Sequence, residues 1–493
     1  MDNPLILAID QGTTSSRTIL FDHNFSIKSI EQKEIILTYP YNGWVEQDAL
    51  AIWHDVRDMV QKSIREYPSI QAIGITNQRE TIVLWDKFTG IPIAPAIVWQ
   101  DRRTADHCEQ LKKSGKETII SQKTGLLLDP YFSASKLQWL LDNVEDAREK
   151  AKNNQLLCGT MDSWILWNLT GGKIHATDAT NASRTMLYNI YEHKWDEELL
   201  SLFDIPASLL PKVFDSVADF GILNQNDFEK PIPITGIAGD QQAALIGQAG
   251  FNEGDIKSTY GTGCFMLFNC GQKPISSNYK LLTTIAYQIK GKTTYALEGS
   301  IFIAGAAIQF LRDQLKFLNT AQDSDAMALS VPDSNDVYFV PALTGMGAPY
   351  WDSHARGAIF GLTRNTKPEH IVRAALEAQS YQTYDLITIM QKDTNIKLGS
   401  LKIDGGLSHS EFMAQDLADI LDCTIDVPEI LESTALGAAM LASLGVGLYE
   451  DFEDLKSIRQ TKKLYKPHIN QTLRHTRLKK WHDHIKRLLY TPV

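Results

Sequence analysis

The chain is 493 residues long with 43% apolar and 22% charged residues, a composition that allows about two to four domains with cores of their own and excludes wholesale disorder. A formal net charge of −11 argues against generic nucleic-acid or anionic-membrane binding, though not against an anion gripped locally by backbone N–H groups. Five scattered cysteines, Cys108, Cys158, Cys264, Cys270 and Cys423, form no C-x-x-C pair; this excludes a disulfide framework and a zinc cluster and predicts reduced thiols in a cytoplasmic protein. Met1-Asp2-Asn3-Pro4 leads straight into an apolar strand without a basic leader or cleavage site, and no uncharged apolar run reaches ~18 residues, so neither a signal peptide nor a membrane span is expected.

Strand and helix periods alternate along the chain, which predicts an α/β fold. Leu5 to Asp10 and Thr18 to Asp22 read as two strands joined by a Gly/Thr/Ser turn. Asp48 to Tyr67 is an amphipathic helix with Ile52, Val56, Met59, Val60 and Ile64 on one face. Ile70 to Thr76 is a buried strand; Thr81 to Trp85 and Ile93 to Trp99 form a hairpin around Thr89-Gly90; Ser135 to Leu141 and Met161 to Leu169 are helical. The opening pattern then restarts: Ile256 to Tyr260, a Gly-Thr-Gly turn and Cys264 to Asn269 repeat strand, small-residue turn, strand. This points to a duplication, with halves at 1–247 and 248–493. Later helices are expected at Ile301 to Lys316, Glu369 to Gln391, Glu411 to Leu421 and Thr434 to Leu444.

Four turns carry the pattern of phosphate or nucleotide sites. In Asp10-Gln11-Gly12-Thr13-Thr14-Ser15-Ser16, Gly12 admits close backbone approach, Thr13, Thr14 and Ser15 offer N–H and hydroxyl donors, Asp10 can hold Mg2+ through water and Arg17 adds charge. Gly236-Ile237-Ala238-Gly239-Asp240-Gln241-Gln242 is a strand-to-helix junction, with Asp240 as helix cap or as functional acid. Tyr260-Gly261-Thr262-Gly263-Cys264-Phe265 lacks the third glycine of a dinucleotide fingerprint, having Met266 there, and remains a second phosphate turn. Asp404-Gly405-Gly406-Leu407-Ser408 would let a base or ribose lie against backbone, or is a plain loop. Lys290-Gly291-Lys292-Thr293-Thr294 imitates a P-loop, but Ala286 stands where its first glycine belongs and the flanks read as a hairpin. Arg79 and Glu80, in Asn77-Gln78-Arg79-Glu80, could donate to and accept from adjacent hydroxyls, or form a solvated pair. Trp99 and Tyr131 are aromatics at element ends, core residues unless they cover a ligand's carbons. The basic stretch Lys456 to Arg487 reads as a solvated helical face, His482 and His484 are badly spaced for a metal, and the sequons at Asn168 and Asn181 are idle in a cytoplasmic chain.

Taken in order, these segments resemble the FGGY carbohydrate kinases, and among them the members that act on glycerol. Tyr131-Phe132-Ser133-Ala134-Ser135-Lys136-Leu137-Gln138-Trp139 and Gly357-Ala358-Ile359-Phe360-Gly361-Leu362, followed by His370-Ile371 and Ala374-Ala375-Leu376-Glu377, match the family's two signature stretches. The resemblance runs from residue 5 to about 450. It implies two actin-like (ribonuclease H-like) ATPase domains with the site in the cleft between them, ATP and Mg2+ as cofactors, and a homodimer or homotetramer. Thr13, Thr14, Ser15 and Arg17 would then meet the phosphates. Thr262, Gly305, Gln309, Gly406 and Ser410 would line the rest of the nucleotide site, Ser410 standing where relatives usually carry Asn. Arg79, Glu80, Tyr131, Asp240 and Gln241 would bind glycerol hydroxyls, Trp99 and Phe265 would pack on its carbons, Asp240 would be the general base, and Asp10 and Asp240 would face the metal.

Two rivals are a family member acting on xylulose, ribulose or gluconate, which Asn77-Gln78-Arg79-Glu80 disfavours, and an actin-fold ATPase without a small acceptor. Some relatives carry a Gly/Arg-rich loop for sugar-bisphosphate inhibition or a phosphorylatable His, and Asp219 to Ile234 has neither. Fructose 1,6-bisphosphate is therefore expected to leave steady-state turnover unchanged, and strong inhibition in that assay would contradict this reading of the loop.

Overall fold

A computed structural model describes residues 4–352 and 354–489, so the reading of Met1 to Asn3 lies outside the described residues. β1 (Leu5–Gln11), buried at every position, pairs antiparallel with β2 (Ser15–Asp22), placing Asp10 opposite Arg17, and β2 pairs with β3 (Ile27–Glu34). Helix α1 (Ala49–Glu66) begins where the Asp48 carboxylate accepts the Leu50 and Ala51 N–H groups, and it buries the apolar face expected of it. The chain then enters β4 (Ile70–Asn77), parallel to β1. A second, five-stranded sheet is built from short strands at Leu37–Thr38 and Glu46–Gln47 and from strands within residues 82–160, and residues 82–233 add α2 (Ser133–Asn143) and a single helical turn, α3 (Ala179–Ala182). β5 (Ile234–Gly239), parallel to β4, and α4 (Asp240–Gly247) close the first half, whose sheet runs β5-β4-β1-β2-β3.

The second half repeats the plan. β6 (Ile256–Tyr260) and β7 (Cys264–Gly271) form the antiparallel opening, followed by β8 (Leu282–Ile289) and β9 (Lys292–Ile301). After α5 (Gly305–Asp313) and the long α6 (Pro368–Thr394) come β10 (Ser400–Asp404), α7 (Glu411–Leu421), β11 (Thr424–Pro428), α8 (Ser433–Gly445), β12 (Thr461–Tyr465) and α9 (Gln471–Leu489). The sheet order is β8-β9-β7-β6-β10-β11-β12. Its inner run β9-β7-β6-β10-β11 matches β3-β2-β1-β4-β5 in order and in strand direction. The repeated sequence motif thus belongs to a repeated α/β unit.

The halves are clamped by exchanged helices. α8 of the second half packs on β1, β4 and β5 of the first sheet, whereas α4 touches β6, β7 and β8 of the second, and α4 and α8 lie on each other. Ala435 to Ala442 of α8 share one core with Ile6, Ala8 and Ala72 from one sheet and Leu267, Ala286 and Ala296 from the other. Glycine makes this approach possible. A Cβ on Gly437 would lie 1.8 Å from the Ala243 carbonyl oxygen, and one on Gly74 would lie 2.1 Å from that of Ala438.

Several expectations need correction. The helix expected from Ile301 to Lys316 spans only Gly305–Asp313, because Ile301 still belongs to β9 and residues 302–304 connect them. Asp240 is not the cap of α4; Gly239 is, and Asp240 is the first helical residue. The basic C-terminal stretch is no single helical face, since Thr461–Tyr465 pairs with β11 before α9 starts. In α9, His482 Nε2 meets Asp385 Oδ1 at 2.6 Å and His484 stacks on Phe360. The P-loop imitation is the tip of the β8–β9 hairpin, with Lys290 at φ 51° and Gly291 at φ 70°, the left-handed pair of a tight two-residue turn. Among the described residues no helix is long and apolar enough to cross a membrane, and all five cysteines are free and buried.

Gly437→Ala and Gly74→Ala should each lower the urea midpoint of unfolding, by the equivalent of about 1–3 kcal/mol, through overpacking against backbone that cannot retreat. Gly399→Ala, where an added Cβ meets nothing within 4 Å, should not. Equal midpoints for all three would refute the tight helix–helix approach.

Candidate active site

Four charges with almost no exposure meet where the halves adjoin. Arg79 and Glu80 follow the end of β4, Arg184 follows α3, and Glu298 comes from β9. Arg79 donates to Glu298 through Nη1 at 2.5 Å and Nη2 at 3.2 Å, and to Gln242 Oε1 at 3.3 Å. Arg184 donates to Glu80 Oε1 at 2.7 Å and to Glu298 Oε1 at 2.8 Å. The Nε of Arg79 lies 3.1 Å from Asp240 Oδ1. The side chains of Arg79 and Glu298 are each 2% exposed and that of Asp240 34%, so Asp240 is the most exposed carboxylate of this group. Burial opposes the charge on Glu298, but Arg184 and Arg79 outweigh it and hold the group at about 2. Glu80 moves the other way: burial and its neighbour Glu298 raise it despite both guanidiniums. Glu80 Oε2 and the Tyr131 hydroxyl make no hydrogen bond among the described residues.

The turn after β1 is held from outside by Gln47, which donates to the Thr13 carbonyl at 2.7 Å, and by the Ile35 N–H, 2.8 Å from the Thr14 carbonyl. The Thr13 and Thr14 N–H groups donate to no acceptor among the described residues, as a phosphate-binding turn requires. Arg17 does not stand free: it pairs with Asp10, and its Nη1 lies 2.6 Å from Glu432 Oε2. Burial raises Asp10 above the usual carboxylate range, with Arg17 opposing and Glu432 and Asp240 adding to the rise. Trp99 crosses this turn, donating from Nε1 to Thr13 Oγ1 at 2.9 Å. It stands edge-on to Tyr131 (5.6 Å) and to Phe265 of β7 (6.4 Å), so aromatics from both halves form one apolar wall.

Opposite lie the second-half turns. Thr262 and Gly305 are adjacent, the Gly305 N–H bonding the Gly261 carbonyl and the Ala304 and Ala306 N–H groups the Thr262 carbonyl. Gly405, at φ 87°, sits against the Tyr260 carbonyl, bringing exposed Gly406 beside this turn, and Gln309 is exposed on α5. Ser410 donates to Asp325 and accepts the Met413 N–H at 3.0 Å, so its hydroxyl is engaged as the cap of α7. Gln241, Phe265, Arg79, Glu80, Tyr131, Trp99, Asp10 and Asp240 thus converge, while Ser410 faces its own helix.

Sequence reasoning missed Glu298, Arg184, Gln242 and Lys257. Lys257, buried in β6, donates to Gln241 and, at 2.9 Å, to Thr259 Oγ1; burial lowers it, with Asp404 and Asp240 opposing. The available signal was a lone charge inside a strand, Glu298 in the apolar Tyr295-Ala296-Leu297-Glu298-Gly299 and Lys257 in Ile256–Tyr260. A further miss is Asn181, set aside as an idle sequon, whose amide pairs with that of Asn77.

Residues 5–247 match the model of the FGGY family of carbohydrate kinases, N-terminal domain, and residues 256–446 that of its C-terminal domain. The chain is similar to the glycerol kinase of Nitrosomonas eutropha, 54% identical over 493 residues and 99% of either chain. It is likewise 54% identical to that of Alcanivorax borkumensis over 492 residues, 99% of either chain. Among solved structures, Plasmodium falciparum glycerol kinase with ADP superposes with a TM-score of 0.95 at 35% identity, covering 99% of both chains. Gluconate kinase from Lactobacillus acidophilus gives 0.89 at 25%, covering 99% of this chain and 98% of that one.

Glu298→Gln leaves two buried guanidiniums with Glu80 as their one buried counter-charge and the part-exposed Asp240 beside Arg79, which should cost about 3–5 kcal/mol at pH 7. Because the folded value of Glu298, about 2, lies below its ordinary 4.5, its contribution is complete above pH 4.5 and is lost as the pH falls towards 2. Urea titrations should therefore show the gap between parent and variant narrowing over that window; a constant gap would mean that charge is not its cause.

Proposed function

Because the chain belongs to the FGGY family of carbohydrate kinases, we propose that it transfers the γ-phosphoryl group of ATP, in line, to a primary hydroxyl of glycerol, giving sn-glycerol 3-phosphate and ADP. The observation that carries the mechanism is the part-exposed Asp240 carboxylate held against buried Arg79. Arg79, Glu80, Gln241 and the Tyr131 hydroxyl grip the substrate's hydroxyls, and Trp99 and Phe265 cover its carbons. Thr13, Thr14 and Ser15 take the phosphates, with Arg17 supplying charge behind them. Thr262, Gly305, Gln309 and Gly406 line the remainder of the nucleotide site. Ser410 acts here as a helix cap rather than as an adenine ligand.

As the substrate oxygen bonds to phosphorus and the bond to the ADP oxygen breaks, Asp240 accepts the hydroxyl proton, a role worth roughly 10²–10⁴-fold. Most of the remaining barrier lowering is positioning and charge stabilisation. Asp10 and Asp240 are oxygen donors of the kind Mg2+ takes alongside phosphates and waters, and among the described residues no group of three or more potential ligands forms a ready cage. That suits an ion arriving with its nucleotide, and when bound it neutralises phosphate charge. The two halves, 1–247 and 248–493, serve as the polyol-and-phosphate side and the nucleotide side.

Asp240→Asn should keep the fold and ADP binding while turnover drops about 10²–10⁴-fold; near-normal turnover removes Asp240 from the base role. In the parent enzyme, coupled ADP release should depend on glycerol and exceed that with xylulose, ribulose or gluconate. A slow ADP release indifferent to every acceptor would favour a bare ATPase.

A further inference from the structure

The single turn α3 touches all three arms of the site without touching a ligand position. Asp178 caps it. Its Oδ1 accepts Thr180 Oγ1–H at 2.8 Å and both the Asn181 N–H and Nδ2–H at 3.0 Å, and its Oδ2 accepts the Thr180 N–H at 3.0 Å and Ser216 Oγ–H at 2.8 Å. Every partner donates, which only an acceptor-only carboxylate satisfies. Since the hydroxyl proton of Thr180 is directed at Asp178, the lone pairs of Oγ1 face outward, and there they accept the Gly239 N–H at 2.9 Å. Gly239 immediately precedes Asp240. It is also too crowded to shift freely, as an added Cβ would sit 2.8 Å from the Arg79 side chain. Next along the turn, Asn181 pairs reciprocally with Asn77 at 2.9 and 3.0 Å, two residues before Arg79. Three residues further on, Arg184 enters the charge cluster. Asp178, Thr180, Asn181 and Asn77 are all fully buried.

We propose that Thr180, oriented by Asp178, is a positioning residue for phosphoryl transfer: its hydroxyl fixes the Gly239–Asp240 junction so that the Asp240 carboxylate is held against Arg79. This rests on the reading of Asp240 as general base. The effect belongs in the rate of the chemical step rather than in nucleotide affinity, because no atom of Thr180 lies at the nucleotide turns.

The experiment compares Thr180→Val, Thr180→Ser and Asp240→Asn, with rates normalised to ADP-binding stoichiometry so that misfolded protein does not count. Thr180→Val keeps the volume and removes the acceptor. A small misplacement of a reacting group costs about 10²-fold, so its kcat with glycerol should fall roughly 10–100-fold with the KM for MgATP unchanged, whereas Thr180→Ser should restore kcat to within a few-fold of the parent. If Thr180→Val does not fold, Thr180→Ala should show the same fall. The inference is overturned if Thr180→Val or Thr180→Ala turns over like the parent while Asp240→Asn is inactive, or if Thr180→Ser falls as far as Thr180→Val. Should Asp240→Asn itself remain active, the base assignment fails instead, and a loss in Thr180→Val would then have to act through another group.

Discussion

Two guanidiniums and two carboxylates, shut almost entirely away from water, must find one another or neutralise. A buried charge left alone costs several kcal/mol even after relaxation. Glu298 is supplied by the second half of the chain and Arg79, Glu80 and Arg184 by the first, so the cluster is complete only when the two halves are correctly docked. Such a cluster is weak evidence of net stability, because its Coulomb energy largely offsets desolvation. What it supplies is geometry: Arg79 is fastened on one side by Glu298, and its Nε is left to meet Asp240.

The same demand for close, fixed approach explains the glycines at the interface. Gly74, Gly247 and Gly437 stand where α8 crosses the first sheet and α4, at separations that leave no room for a methyl group. Because α4 carries Asp240 at its first residue and leans on the second sheet, the position of Asp240 is referred to both halves at once. The aromatic wall repeats this arrangement in apolar form, Trp99, edge-on to Tyr131 of its own half, meeting Phe265 from the other. A site built across a seam can hold its two substrates on opposite banks while the reacting atoms meet between them.

Periodicity made the elements legible: the apolar run Leu5 to Asp10, the face Ile52 to Ile64 and the restart at Ile256 all correspond to observed strands and helices. The turns proposed for phosphate stood out because small, hydroxyl-rich loops after a buried strand have few other uses. Partners separated by hundreds of residues were not visible. Nothing local tells Arg17 that Glu432 waits for it, or Arg79 that Glu298 does, since each looks like a charge that solvent could satisfy. Ser410 is the opposite case: its local role as a helix cap is the common one for serine and is the one observed, and only its place in an ordered set of motifs suggested another. Asn181 was dismissed on a sequon whose use depends on surface exposure, whereas it is fully buried.

In the proposed function, what the cluster leaves unsatisfied is what the substrate meets. Of the N–H groups of Arg79, Nε faces Asp240, both hydrogens of Nη1 are directed at Glu298 and Gln242, and one on Nη2 goes to Glu298, leaving one Nη2 hydrogen. Glu80 has Oε2 in reserve, Tyr131 its hydroxyl, and Asp240 its exposed edge. One donor, two acceptors and one group that can do either, beside an apolar wall, complement neighbouring hydroxyls on a short carbon chain. An acceptor molecule lacking one of those hydroxyls would strand a desolvated polar group, a mismatch that costs up to about 10⁴–10⁵ in specificity where sites are built this way. Trp99 and Phe265 stand edge-on to each other, and Trp99 Nε1 also ties this wall to the turn after β1 through Thr13. In the proposed function, selectivity for a small polyol and alignment of the phosphates therefore depend on the same side chain, Trp99.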